Sequence, residues 1–296
     1  MKQFAAIICA AMFFVCCETW KAADSGNKNK NCTAGFTEKS VEVENPLTGN
    51  ILRGTLYLPE GSGTKPLIIT LHELGGDALR PWWVNYSRHW AAHGYAVLGF
   101  DFAGGGKRSR STGLTTEMSV MTEVSDLEYI LAYALKWDFV DRDALIFAGG
   151  SQGGGVATVV AAKHKDEIAA MVLLYPAFSL PDSLHANYPD PDNWPETDTR
   201  NAMITIGRRY IEDMYDYNYE DDMRLYDKPV LIVHGGADRI APLSYSEKAV
   251  TVFKYAVLKI IKGAGHVFLS DAHQQEFLHC ADDFLQHIKA RQNENR

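Results

Sequence analysis

Short apolar runs punctuate the chain: LIITL (67–71), YAVLGF (95–100), ALIFAG (144–149), AAMVLLY (169–175), PVLIVHG (229–235) and AVLKII (256–261). Their length and continuity suit strands covered on both faces, as in a parallel sheet. Between them, apolar positions recur with helical period over roughly 80–92, 119–136, 152–165, 244–253 and 272–290. Alternation of this kind predicts an α/β fold with helices on both faces of the sheet. Ahead of the first run, VEVE (41–44) and ILRGTLYL (51–58) flank the turn-rich stretch NPLTGN (45–50), which predicts an antiparallel hairpin. One interval breaks the rhythm. Residues 177–228 show no clear strand, carry Pro181, Pro189, Pro191 and Pro195, and are too long for a simple connection. They read as an inserted cap, with a helix expected around 201–215.

The first residues have a different pattern. MKQFAAIICAAMFFVCC places Lys2 ahead of an apolar run over 4–17. That run is shorter than the ~20 residues that span a bilayer and has the layout of a signal peptide. Cys17 ends the run before Glu18, as in lipoprotein signals whose Cys carries the lipid, although Cys16 stands where a small residue is preferred. Cleavage near Ala22 or Ala23 is the alternative. The expected organisation is a leader over 1–22, a polar tether over 23–38 and a folded domain over 39–290. The product is expected to be exported: secreted, periplasmic or lipid-anchored at the surface. Past the leader, Cys32 and Cys280 either form a disulfide or remain two free thiols.

Composition narrows the partners. With 46% hydrophobic and 22% charged residues the chain is globular rather than disordered. A net charge of −8 and a pI near 5.7 argue against nucleic acid as a partner. The charge is unevenly placed: residues 181–228 hold twelve acidic and five basic side chains, a net of −7. This cap segment is therefore biased against anionic ligands. It also holds six of the 14 tyrosines together with Trp194.

The strand ALIFAG runs into Gly149-Gly150-Ser151-Gln152-Gly153, and a helix follows. This is G-x-S-x-G in the strand–turn–helix setting that presents a nucleophile. A serine hydroxyl needs an adjacent base to react at neutral pH. Asp238 follows the strand PVLIVHG, where open α/β sheets place their sites. His266 lies on a Gly-rich loop after the next strand. His72 and His234 also close strands and read as packing or loop-bracing residues. The order Ser151, Asp238, His266 is that of a serine-hydrolase triad on an α/β sheet. The helix beginning at Gln152 directs its backbone amide toward developing negative charge, which makes Gln152 one oxyanion donor. The loop Arg108–Gly113 either rims the pocket or is solvated, the latter being expected. No metal-ligand spacing and no phosphate-binding loop occur, so no cofactor is expected.

From about residue 40 to 290 the chain resembles the α/β-hydrolases, most of all the cinnamoyl or feruloyl esterase branch of bacterial carboxylesterases. The segments that carry the likeness are His72-Glu73-Leu74-Gly75-Gly76, Asp101–Gly106, Gly149–Gly153, Lys228–Asp238 and Gly263–His266. The resemblance implies a mostly parallel eight-stranded sheet with the cap inserted between strands six and seven. It implies a carboxylic ester hydrolase that forms an acyl-enzyme, with Leu74 as the second oxyanion donor. Glu73 stands where the family has Gly and does not readily take positive φ. Its side chain is expected to face solvent or pair with an Arg; the alternative is a pocket-facing carboxylate that disfavours anions. In that branch the insertion covers an aromatic acid, which makes Tyr210 and Tyr217 candidate substrate contacts. The expected partner is a small or polysaccharide-linked ester. An acetyl or lipase-like esterase, a serine peptidase on the same fold and a non-catalytic binding protein are the alternatives.

Overall fold

In the computed structural model, residues 35–200 and 204–294 are described. The leader, Cys17, Cys32 and most of the tether lie outside the described residues. Three strands come first: β1 (Phe36–Asn45), β2 (Asn50–Pro59) and β3 (Lys65–Leu71). Then α1 (Pro81–Ala92), β4 (Ala96–Asp101), α2 (Val120–Ala134), β5 (Val140–Gly150), α3 (Gln152–Lys163) and β6 (Ile168–Leu174) alternate. The cap contains α4 (Leu180–Asn187), β7 (Thr197–Arg200), β8 (Ile204–Gly207), α5 (Arg208–Glu212) and α6 (Tyr219–Leu225). The chain closes with β9 (Val230–Gly235), α7 (Leu243–Val252), β10 (Ala256–Ile261) and α8 (Asp271–Glu294).

The main sheet has eight strands in the order β1-β2-β4-β3-β5-β6-β9-β10. Only β2 is reversed, pairing antiparallel with both β1 and β4; every other pairing in this sheet is parallel. The expected hairpin is the β1–β2 pair, closed by Asn45 against Asn50. All six residues of β4 and of β9 are buried, which accounts for their continuous apolar sequence.

Alternate residues serve the two faces, because side chains alternate along a strand. Ile69, Leu98, Phe147, Leu173 and Ile232 pack toward α2, α3 and the cap. Ile68, Val97, Ile146, Val172 and Leu231 pack toward Trp83 and Trp90 of α1 and Phe277 and Leu285 of α8. Each such side chain contributes about 1.5–3 kcal/mol when fully buried. Helix α2 is anchored at its start by a capping box: Ser119 Oγ accepts from Thr122 N, and Thr122 Oγ1 accepts from Ser119 N.

The cap differs from its sequence reading in two ways. It contains a strand pair, β7 against β8, with Thr197 opposite Gly207 and Arg200 opposite Ile204. The helix expected over 201–215 shrinks to Arg208–Glu212. The reason lies in Ile204-Thr205-Ile206, whose β-branched residues favour a strand and place Ile204 and Ile206 inward at 5% and 0% exposure. These two side chains join the same core as Leu173 and Phe147, so the cap is an outgrowth of the main core.

The loop Arg108–Gly113 is likewise not simply solvated. Arg110 donates from Nε and Nη2 to the two oxygens of Asp101, at 2.8 and 3.0 Å, and its backbone N reaches Asp101 Oδ2 at 2.7 Å. Asp101 is fully buried at the end of β4. Ser111 Oγ donates to the Asp101 carbonyl. A buried carboxylate demands such partners, and the loop is folded inward to supply them.

Candidate active site

Strand β5 ends at Gly150, and Ser151 takes φ 51°, ψ −118° before α3 begins at Gln152. A non-glycine residue at positive φ is strained, and such strain is held only by surrounding structure. Here Ser151 N donates to Leu174 O at 2.9 Å, and Ser151 O accepts from Ala177 N at 3.0 Å. The turn needs bare backbone on both sides. A Cβ at Gly149 would lie 2.4 Å from Gly153 O, and one at Gly153 would lie 2.3 Å from Leu71 O. The second contact also seats the start of α3 against the end of β3, beside the loop that carries Leu74.

Ser151, His266 and Asp238 are brought together from three strand ends. His266 Nε2 is 2.8 Å from Ser151 Oγ, and His266 Nδ1 is 2.8 Å from Asp238 Oδ2. The Asp238 side chain is fully buried and that of His266 is 10% exposed. Asp238 Oδ1 accepts from the backbone N–H groups of Ile240 and Ala241 at 2.8 and 3.0 Å. Its Oδ2 also faces His234 Nε2 at 3.1 Å. His234, which read as a loop brace, reaches across the acid loop: Nε2 donates to Ala241 O and Nδ1 meets Ser246 Oγ. Burial opposes the charge on Asp238. Hydrogen bonds from His234 and His266, the His266 charge and the Ile240 amide outweigh it and hold the carboxyl well below its ordinary range. Asp238 is therefore an anion that orients the imidazole throughout the neutral range.

The loop after β3 accommodates Glu73 without strain, because its positive φ falls on Gly75 at 70°. The side chain of Glu73 neither faces solvent nor pairs with an Arg, which corrects the sequence expectation. It is buried and accepts three hydrogen bonds: Trp82 Nε1 at 3.2 Å, Trp83 Nε1 at 3.1 Å and Tyr175 OH at 2.8 Å. His72 braces the same loop. Its Nδ1 donates to Glu73 O at 2.9 Å, and its Nε2 accepts from Phe102 N at 3.0 Å. A carbonyl only accepts and an amide only donates, so these partners select the neutral Nδ1–H tautomer. Arg80 Nη2 adds a bond to Gly75 O at 3.1 Å. Leu74 thus sits between two braced residues.

The two cap tyrosines go to different places. Tyr210 is buried, and its hydroxyl donates to Gln152 Oε1 at 2.5 Å, which ties the cap to the residue after Ser151. Tyr217 instead donates to Asp222 at 2.6 Å and borders a cleft between the cap and α7. The described lining of that cleft includes none of Ser151, Asp238 and His266.

Glu123, in the first turn of α2, was not singled out by sequence. Burial pushes its carboxyl well above the usual range; the neighbouring Gln152 amide opposes this and the Asp126 charge adds to it. Asp126 is pushed up by burial to about 6, with hydrogen bonds from Asn45 and the Ala103 amide opposing. A carboxyl raised in the folded state stabilises fully below its unfolded pKa, and the benefit is lost as pH rises through the folded value. Stability measured by urea unfolding is expected to decline from pH 5 to pH 7. Glu123→Gln, uncharged at every pH, is expected to flatten that decline. A variant curve running parallel to the wild type would contradict it.

Comparison with known proteins adds the family. The model of the prolyl oligopeptidase family matches residues 82–291. The solved structure of Est1E from Butyrivibrio proteoclasticus with ferulic acid bound is 26% identical, with a TM-score of 0.78 over 84% of this chain and 99% of that one. The structure of DcsB with a substrate analogue, at 19% identity and a TM-score of 0.70, covers 85% of this chain and 99% of its own and shares the fold. Among curated proteins, the quorum-quenching protein AidA of Acinetobacter baumannii is 30% identical over 118 residues, 40% of this chain and 37% of AidA. A non-heme haloperoxidase of Rhodococcus erythropolis is 42% identical over 57 residues, 19% of this chain and 21% of that protein. The chain thus spans well under half the length of these curated relatives. The family match, by contrast, takes in well over half of the chain, with Ser151, Asp238 and His266 inside it, and so the chain belongs to the prolyl oligopeptidase family and has the α/β-hydrolase fold.

Proposed function

We propose that the protein is a serine esterase that cleaves carboxylic esters through an acyl-enzyme, with hydroxycinnamoyl esters of plant polysaccharide as the substrate class. The observation that carries the reading is the chain Ser151–His266–Asp238, with both links at 2.8 Å. His266 Nε2 takes the Ser151 proton as Oγ attacks the ester carbonyl carbon. Asp238 holds the Nδ1–H and stabilises the imidazolium. The carbonyl π electrons move onto oxygen, where the amides of Gln152 and Leu74 receive them. Collapse of the tetrahedral adduct breaks the ester C–O bond, and His266 returns its proton to the departing alcohol. Water then repeats the cycle on the acyl-serine, releasing the acid.

The aromatic part of the proposal is supported by the ferulic acid held in the similar Est1E structure and by the tyrosine-rich cap. The apolar leader supports action outside the cytoplasm, with Cys17 as a lipid anchor point. The test is a panel of methyl ferulate, acetylated xylan, nitrophenyl esters of increasing chain length and an aminoacyl amide. The expected result is a kcat/KM for methyl ferulate at least about tenfold above that for the acetyl ester, the discrimination a filled apolar pocket provides. Preference for short-chain esters would overturn the aromatic assignment. The family match favours one second reading, a peptidase. Amide turnover exceeding ester turnover would establish it instead.

A further inference from the structure

Three donors from two separate elements converge on the Glu73 carboxylate. Its Oε1 accepts from Trp82 Nε1 on α1 and from the Tyr175 hydroxyl just past β6; its Oε2 accepts from Trp83 Nε1. A Cβ placed on Gly150, the residue before the nucleophile, would lie 3.0 Å from Oε1, 3.1 Å from the Trp83 ring and 3.4 Å from the Tyr175 ring. The carboxylate therefore rests directly behind the nucleophile elbow. Tyr175 is also, with Ser151, one of the two non-glycine residues at positive φ among the described residues, at 38°. Its ring packs on His266, with centroids 4.9 Å apart, and edge-on against Phe268 at 5.0 Å.

We infer that Glu73 is a positioning residue that sets the Leu74 amide and, through Tyr175, the seat of His266. The inference rests on the proposed serine mechanism with Leu74 as an oxyanion donor. Glu73 is covalently next to that amide, so fixing its side chain to α1 and to Tyr175 fixes the peptide that must meet the oxyanion. Donors placed in advance are what make such a hole effective. The chemistry requires a carboxylate. All three partners donate, and the two indole N–H groups cannot turn to accept. A glutamine in either orientation would set an NH2 group against one indole N–H, at Trp82 or at Trp83. The isosteric change therefore breaks the junction while leaving its volume intact.

The test uses full-length protein and an ester that the wild type hydrolyses, with sites counted by fluorophosphonate labelling. Glu73→Gln is expected to lower kcat per labelled site about 10²-fold, the loss seen when one oxyanion donor is removed, with KM little changed. Affinity for a boronic acid, which forms the tetrahedral adduct, should fall in parallel. Affinity for the product acid, which forms no such adduct, should not. Adding Trp82→Phe to Glu73→Gln removes one clashing donor and is expected to restore part of kcat. Tyr175→Phe, which keeps the ring, should lower kcat more mildly and decides the matter if Glu73→Gln fails to fold. Wild-type kcat per site in Glu73→Gln, equal losses of boronic acid and product affinity, or no rescue by Trp82→Phe would each overturn the inference. Retained ester turnover in Ser151→Ala would instead overturn the serine mechanism itself, whatever Glu73 does.

Discussion

Ser151→Ala is expected to lower ester turnover by about four to six orders of magnitude. Nucleophile and base act as one unit, so removing either forfeits nearly all of their joint contribution. The geometry leaves no substitute at the elbow. Ser151 Oγ is the atom His266 Nε2 meets at 2.8 Å, and it is presented by a φ of 51° that holds the side chain at the strand's end. Alanine keeps the turn and the amides of Gln152 and Leu74 and loses only the oxygen. The variant should therefore fold, bind substrate with similar affinity and retain the small acceleration that the oxyanion donors provide. The measurement is initial rate on the best ester of the panel, together with fluorophosphonate labelling of wild type and variant. Activity above about one per cent of wild type, or labelling of the alanine variant at another serine with full turnover, would reject the assignment.

Arg110→Met is expected to destabilise the fold by about 3 kcal/mol, near the lower end for breaking a buried ion pair. The lower end applies because the Arg110 side chain keeps 26% exposure while that of Asp101 keeps none. Methionine preserves much of the stem and abandons Asp101 as a buried charge. Burial opposes the Asp101 charge, and bonds from the Arg110 side chain and backbone, the Ala78 amide and the Arg110 charge together hold its carboxyl below the usual range. A depressed carboxyl contributes stability above its unfolded pKa, near ~3.9, and the contribution vanishes as pH falls through the folded value. The gap between wild type and Arg110→Met in urea unfolding should thus be full at pH 7 and shrink on acidification below about pH 4. Adding Asp101→Asn to Arg110→Met should recover part of the loss, because the abandoned charge is gone. A variant within 0.5 kcal/mol of wild type, the ordinary range of a surface change, would show that the pair is not a structural clasp.

Much of the scaffold was legible from patterning. The runs at 67–71, 95–100 and 229–235 became β3, β4 and β9, because only strands buried on both faces combine such length with such continuous apolarity. The cap was legible only as an interruption. Its strand pair and short helices draw their stability from the main core, where Ile206 and Tyr210 are buried. A local window cannot register contacts that distant. Glu73 shows the same limit at the site. The departure from the family loop was visible, but Tyr175 is 102 residues away and nothing local relates the two.

The order Ser151, Asp238, His266 and the strand–turn–helix around Ser151 were determined by sequence alone. The glycines that the turn requires, Gly149 and Gly153, stand within two residues of the serine and are legible there. The pairing of those three side chains at 2.8 Å, the inward turn of Arg110 and the burial of Glu73 among indole and phenol donors were decided by tertiary structure. Each depends on groups that meet only when the loops and helices are folded onto the sheet. A charged side chain's environment, and with it the side chain's role, exists only after the chain has folded around it.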